Sequence, residues 1–404
     1  MSSFSGRIEE YPDIAVDRFD GKNLTARAFF LSHLHVDHMV GLTSSDFLYK
    51  LQSDKRLKLY AHPFTCKLLA TDPELKHLAK YCQALEEDTT HTVAIPHSET
   101  EREHILNVTV VSAKHIVGSA MFLFDGGNGR VLYTGDCRFP VGSALELHKL
   151  LPVNHLYIDT TFCTESPSKF PSKEQSANTT TDLIREWISQ GSSKKAVLQY
   201  NAKLGCEFIY ERVSDSFSSK IYFGAEKHHL YQTLWGQDNF STSDPQSTQI
   251  HACARNSKCC DGENVRRIIL STMAFVEQDY KSNKFVKRMK GNTFRVCYSI
   301  HSSLEELKAF ILYVKPTQIT PTVVSASTRS FIDKTLKELL REVHKNDLTY
   351  DPDWRPLSRP TLKRCMEPQT LSCRARKRLK REERNEPESS DSDLDFGDPK
   401  ELNG

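Results

Sequence analysis

SHLHVDH, residues Ser32-His33-Leu34-His35-Val36-Asp37-His38, leaves the apolar run ARAFFLS at 26–32, and its reading decides the fold. The run is short, apolar and ends in polar residues, so it reads as a buried strand. His33, His35, Asp37 and His38 then place four potential ligands within a few positions. His33 and His35 are two apart, so at an extended strand end both imidazoles project to one side. Asp37 and His38 fall in the following turn, where the chain can wrap a second ion. Imidazole with carboxylate suits Zn²⁺, and also Fe or Mn.

Two further positions extend this pattern. His115 follows the apolar run 108–113 (VTVVSA), and Asp136 follows RVLYTG at 130–135. Both sit at strand ends, where an α/β sheet presents its active loops. Asp136 is a carboxylate able to bridge two ions about 3.5–4 Å apart. Runs at 121–124, 131–134 and 156–158 read as further strands, and 63–70 and 74–85 as helices. That mixture points to a layered α/β sandwich.

Farther along, 165–180 is polar and rich in Ser and Pro. A helix at 181–190, a strand at 196–200, a helix at 205–215 and a strand at 220–223 give a second α/β unit. The stretch 237–264 reads as loop. Strands are expected at 265–273 and 293–299. Ser303 with Glu306 forms a capping box ahead of Leu304, Leu307, Phe310, Ile311 and Val314, which share one helical face. Pro316 ends that helix. A short strand near Val323 and a helix at 330–343 close the folded part.

Composition limits the function classes. The 404 residues exceed what one core holds, since single cores stop growing near about 250–300 residues. No run approaches the roughly 20 apolar residues of a membrane span. MSSFSGRIEEYPDI at the start has no apolar signal core, so secretion is not expected. Eleven scattered cysteines read as reduced thiols. Net charge is only +2, but it is unevenly placed. Residues 374–384 hold seven basic side chains and 386–401 seven acidic ones, with no apolar period, so the tail from about 351 reads as disordered. Lys363-Arg364 with Arg376-Lys377-Arg378 reads as a bipartite nuclear-import signal, and 389–393 (SSDSD) as a phosphorylation segment.

These motifs together resemble the metallo-β-lactamase/β-CASP family of DNA nucleases. The resemblance rests on His33-x-His35-x-Asp37-His38, His115, Asp136, the run Asp159-Thr160-Thr161-Phe162-Cys163 and His301 in SIHSS. YPDIAVDRFD, FLFDGGNGRVLYTGDCRF and STQIHAC add to it. It implies an α/β fold: a four-layered αββα sandwich with an inserted α/β β-CASP domain. The expected boundaries are 1–158 and 301–345 for the sandwich, 159–300 for the insert and 346–404 for the tail.

Site roles follow from the same resemblance. His33, His35, His115 and Asp136 would hold a first zinc, and Asp37, His38 and Asp136 a second ion, with Mg²⁺ or Mn²⁺ as further supports of activity. Asp17 and Asp159 would orient ligand histidines. His301, just before a helix, would face the scissile phosphate. Ser271 and Thr272 would line the same pocket. Ser302 and Ser303 either bind phosphate or, in the case of Ser303, only cap the helix. His228, His251, Cys253 and Cys259 would form a structural zinc site, the alternative being unligated thiols. Val323 stands where RNA-processing members carry a histidine, which points to DNA.

The activity implied is metal-assisted phosphodiester hydrolysis: opening hairpins and trimming ends in double-strand break repair by non-homologous end joining. The alternatives are a 5′-phosphate-dependent exonuclease of crosslink or telomere repair, a small-molecule hydrolase, and a non-catalytic repair scaffold. Implied partners are DNA hairpins, overhangs and single–double strand junctions, the DNA-dependent protein kinase and an end-joining ligase complex. A nuclear monomer without membrane association is expected.

Overall fold

The first sheet has four parallel strands, β1 (Ile14–Val16), β2 (Ala28–Leu31), β3 (Leu59–Ala61) and β4 (Cys82–Ala84), in that order. Helices α1 (Ser45–Ser53) and α2 (Pro63–Thr71) lie between them in sequence. This computed structural model describes residues 2–96, 103–142, 148, 150–165, 168–200, 203–254 and 262–345. All belong to the first of the chain's two units, Met1–Pro352.

A second sheet begins with the antiparallel strands β5 (Thr90–Pro96), β6 (Glu103–Ser112), β7 (Ala120–Gly126) and β8 (Gly129–Tyr133), then adds β9 (His155–Ile158) in parallel. Helix α3 (Lys173–Ile188) leads into a third, seven-stranded sheet. Its members are β10 (Lys195–Tyr200), β11 (Ile221–Tyr222), β12 (Ser241–Thr242), β13 (Ile250–Ala254), β14 (Val265–Leu270), β15 (Val286–Arg288) and β16 (Thr293–Val296). All its pairings are parallel except β15 with β16. Helices α4 (Glu207–Phe217), α5 (Ala225–Trp235) and α6 (Glu277–Lys281) connect these strands. The chain then returns through α7 (Leu304–Val314), β17 (Gln318–Pro321) and α8 (Arg329–Val343), with β17 pairing in parallel to β9.

Strand alternation explains the layers. In β2, Ala28 and Phe30 face one way and Phe29 and Leu31 the other. Phe30 packs with Phe122, Phe124 and Tyr133 between the first two sheets. Phe29 and Leu31 pack with Phe47, Leu51 and Leu69 under α1 and α2. On the second sheet, Leu123, Leu132, Leu156 and Ile158 turn outward to Leu307, Phe310, Ile311, Ile332 and Leu336 of α7 and α8. The result is helix, sheet, sheet, helix. The third sheet has its own core, with Leu198, Ile250 and Ile268 against Ile184, Ile209, Val213 and Tyr231.

Several sequence expectations shift. The span 74–85 is not one helix: a 3-10 turn at Lys76–Tyr81 gives way to edge strand β4. Helix α3 starts eight residues before the expected 181, because Ser172 and Gln175 form a capping box inside the polar stretch. The span 237–264 contains β13, a central strand whose core side is only Ile250 and Ala252. The tail, with its basic run, its SSDSD segment and Lys363, Arg364 and Arg376, lies outside the described residues.

Candidate metal centre

Four loops at strand ends build the site. The strand β2 delivers Ser32 and His33 directly. His35 follows, and a single 3-10 turn at Val36–His38 brings His38 back beneath them. The loop after β6 supplies His115, and the turn after β8 supplies Asp136. Asp159 follows β9, and His301 stands just before α7. The turn before Asp136 requires glycine: Gly135 has φ +55°, and a Cβ there would lie 2.8 Å from Ser32 Oγ.

The ligand atoms converge. His33, His35, His115 and Asp136 each present a ligand atom within 4.8 Å of the others. The same holds for Asp17, His33 and His38, and for Asp136, Asp159 and His301. Asp136 stands central: its Oδ2 is 3.7 Å from Nε2 of both His33 and His115, and its Oδ1 is 3.1 Å from His38 Nε2. His115 Nε2 and His35 Nδ1 are 3.0 Å apart.

Outward hydrogen bonds fix which nitrogen faces in. His115 Nδ1 donates to the Ile300 carbonyl at 2.9 Å. His38 Nδ1 donates to Asp17 Oδ2 at 2.8 Å. Ser32 Oγ donates to Asp17 Oδ2 at 2.5 Å, so it accepts from His33 Nδ1 at 2.9 Å. In His33 and His115 the remaining nitrogen, Nε2, turns a lone pair toward Asp136. Asp17 also accepts from the Ser32 amide and the Tyr133 hydroxyl. Its backbone is left-handed, at φ 56°.

The buried atoms here fit a cation. Nε2 of His33, His35 and His38 and Oδ1 of Asp136 are buried without a hydrogen-bond partner. Buried polar atoms are seldom left so, because each unpaired group costs about 1–3 kcal/mol. A divalent ion satisfies several at once, and three imidazoles with one carboxylate match zinc's preferred donors. Burial, and then neighbouring imidazoles, hold His33 and His115 well below the usual imidazole range. They are therefore neutral, as ligands must be. Burial opposes charge on His38 too, but Asp136 and Asp17 outweigh it and raise its pKa.

His301 forms the far wall. Its Nδ1 is 2.9 Å from Asp159 Oδ2, and its ring centroid lies 4.6 Å from that of His115. Burial disfavours its charge, yet Asp159 raises its pKa overall. Asp159 is itself held by the Cys137 and Thr161 amides.

Other expected residues are placed differently. Asp37 lies outside the three ligand groups, half-exposed, 4.0 Å from His38 Nε2, with Oδ2 accepting from the Ser2 amide at 2.7 Å. Ser302 Oγ donates to the Cys137 carbonyl and accepts from the Phe139 amide. Ser303 Oγ accepts from the Glu306 amide as the α7 cap. Ser271 Oγ accepts from the Met273 amide, and Thr272 lies one residue beyond in the same turn after β14. Val323 is tied to Thr160 through both its amide and its carbonyl.

His228 Nδ1 pairs with Ser241 Oγ at 2.7 Å, and His251 Nε2 donates to the Thr248 carbonyl at 3.2 Å. Among the described residues neither belongs to a ligand group. Cys253 departs from the expectation of reduced thiols, since it is disulfide-bonded. Six other described cysteines are free, and Cys259 lies outside the described residues.

Sequence reading missed Tyr133, the Ile300 carbonyl and Lys173. Lys173 Nζ donates at 2.7 Å to the carbonyl of Lys114, a left-handed residue just before His115. A tyrosine inside a strand and a lysine opening a helix carry no signal of such roles.

Two family models and several known proteins are similar to this chain. A family model described as "DNA repair metallo-beta-lactamase" matches residues 236–327, and one described as "Anti-Pycsar protein Apyc1" matches 15–189. Protein artemis of Pongo abelii and of Homo sapiens are each 34% identical over 383 residues, covering 89% of this chain and 54% of theirs. 5' exonuclease Apollo of Rattus norvegicus is 29% identical over 346 residues, covering 83% of this chain and 58% of that protein. The chain thus spans about half the length of the relatives it matches.

Proposed function

The chain belongs to the metallo-β-lactamase/β-CASP family of DNA-repair type, and from that premise we propose that it is a metal-dependent DNA nuclease. The observation that carries this is the set of buried, unpartnered atoms on His33, His35, His38 and Asp136, with the His301 ring 4.6 Å from that of His115. The reading also takes 159–300 as an inserted β-CASP domain and the nucleus as the compartment.

His33, His35, His115 and Asp136 would hold one ion, and His38, Asp136 and Asp37 a second, with zinc the best match to the donors. A bound divalent ion supplies Lewis-acid polarisation of the phosphate and a reactive water at neutral pH. The chain's own residues do the rest. Asp17, through Ser32 and directly, keeps His33 and His38 in the tautomers that face inward. Asp159 holds His301 by Nδ1, leaving Nε2 without a partner among the described residues. A protonated His301 there donates to phosphate oxygen and gives a proton to the leaving 3′ oxygen, so the product carries a 5′-phosphate.

The likeness to the artemis proteins favours hairpin opening and end trimming, with DNA junctions as substrate and a DNA-dependent protein kinase and an end-joining ligase as partners. The likeness to Apollo favours a 5′ exonuclease as the second reading. The deciding assay supplies purified chain with Zn²⁺, Mg²⁺ or Mn²⁺ and labelled hairpin, overhang and single-stranded DNA. Hairpin and overhang cleavage without need of a 5′-phosphate supports the first reading, and strict 5′-phosphate dependence the second. His35→Ala and Asp37→Ala should each abolish cleavage while DNA binding survives. Wild-type cutting by either variant would remove the assigned ligand.

A further inference from the structure

Two thiols outside the metal centre stand together. Cys66 lies on helix α2 and Cys82 opens strand β4, sixteen residues later, and their sulfurs are 2.6 Å apart. Both are half-buried rather than sealed in the core. Two unbonded sulfurs rest farther apart than this, and a disulfide closes the gap to about 2.05 Å. Little backbone movement therefore separates the paired thiols from a bond.

Among the described residues the other free cysteines have no second thiol at such a distance, and Cys206 alone among them is also half-buried. Cys137, Cys163 and Cys297 are buried, and burial raises the pKa of each, to about 11 for Cys163 and Cys297. Burial also lifts Cys206 to about 12. The contact with Cys82 moves Cys66 the opposite way, below the usual thiol value. The same contact raises Cys82, so Cys66 is the attacking thiol and Cys82, with its sulfur 2.6 Å away, the partner that resolves it.

We propose that Cys66 and Cys82 are a reversible disulfide site, closed by peroxide and reopened by dithiol reductants, that staples helix α2 to strand β4. The Cys66 thiolate attacks one peroxide oxygen, forming sulfenic acid and releasing the other oxygen as water after protonation. The Cys82 sulfur then attacks the sulfenic sulfur. The S–S bond forms, the C–S–OH oxygen leaves as a second water, and the Cys82 proton goes to it. Two thiols give up two electrons to one peroxide.

The staple bears on the site through α2. Thr65, next to Cys66, donates its hydroxyl to the Gly118 carbonyl at 2.8 Å, in the loop that carries His115. Gly118 has φ +76°, and a Cβ there would lie 2.9 Å from Phe64 Cβ, so helix and loop touch without slack. Fixing α2 against β4 therefore fixes the backing of the His115 loop.

The test uses the full chain. Reduced protein is treated with graded hydrogen peroxide, alkylated with iodoacetamide and mapped by peptide mass spectrometry. The expected result is one cross-linked peptide joining Cys66 and Cys82 at peroxide levels where Cys137, Cys163, Cys206 and Cys297 remain alkylatable after unfolding. It should disappear with dithiothreitol and in Cys66→Ser and Cys82→Ser. The oxidised wild type should melt roughly 3–6 °C higher than the reduced form. Separate alkylation of Cys66 and Cys82 after the other four have reacted would overturn the proposal. So would irreversible oxidation of Cys66 with Cys82 left free. The wild-type map decides even if a serine variant does not fold.

Discussion

Asp17 accepts four hydrogen bonds, from the Ser32 amide, the Ser32 hydroxyl, His38 Nδ1 and the Tyr133 hydroxyl, while almost wholly buried. Replacing one oxygen with an NH₂ group leaves the size unchanged but turns an acceptor into a donor facing donors. Asp17→Asn should therefore lose about 10–100-fold in metal affinity, measured by competition with a coloured chelator. Unchanged affinity would mean that Asp17 only packs. At this scale the convergence of His33, His35, His115 and Asp136 was legible, because histidines and aspartates clustered at strand ends have few other uses. Their supports were not. Tyr133 reads as an ordinary strand residue, and Ile300 contributes only a carbonyl, which any residue has. Ser302 reads as phosphate-binding and Ser303 as phosphate-binding or a cap, and the hydroxyls of both are engaged with backbone groups.

Helix starts decide how the elements present these residues. Ser303 Oγ caps α7 at the Glu306 amide, so Ser303→Ala should cost about 1 kcal/mol and lower Tm by roughly 2 °C. Ser303→Asp should restore most of that by calorimetry, since aspartate caps equally well. Lys173 opens α3 in a half-buried position, and desolvation, followed by Arg138, lowers its pKa to about 8. An unfolded lysine titrates near about 10.4. Between these values the unfolded chain holds more protons, so this group makes stability rise with pH from about 8 to 10. Lys173→Met should flatten that rise in thermal melts. An unaltered profile would place the Lys173 charge in water. Capping boxes were legible before α7 and hidden before α3, where Ser and Pro masked the box. Strand β13 was missed because HACA carries polar residues on the face away from Ile250 and Ala252. Strand β4 was missed because an edge strand of three residues has too few positions for alternation to show.

Across the whole molecule, a layered α/β sandwich was legible in buried strands mixed with helices, while its four layers came only with the family resemblance. In the structure β2, β7, β8 and β9 each bear apolar side chains on both faces, and only a sheet covered twice buries both. The third sheet was only half legible, since α5 and β13 carry weak apolar patterns. The layers bring residues from 17 to 301 onto one centre, so an ion there ties distant parts together and stabilises the folded state by mass action. Removal of divalent ions with EDTA should lower Tm and return of zinc should restore it. Loading should weaken below about pH 6, because protons compete for the ligand nitrogens.

The most direct test is anomalous X-ray diffraction above the zinc edge, on crystals of protein prepared with zinc. The account predicts a peak among His33, His35, His115 and Asp136, about 2.0–2.2 Å from the His33 and His115 Nε2 atoms and an Asp136 oxygen. Well-ordered side chains at these positions with no anomalous density between them, in zinc-replete crystals, would contradict it.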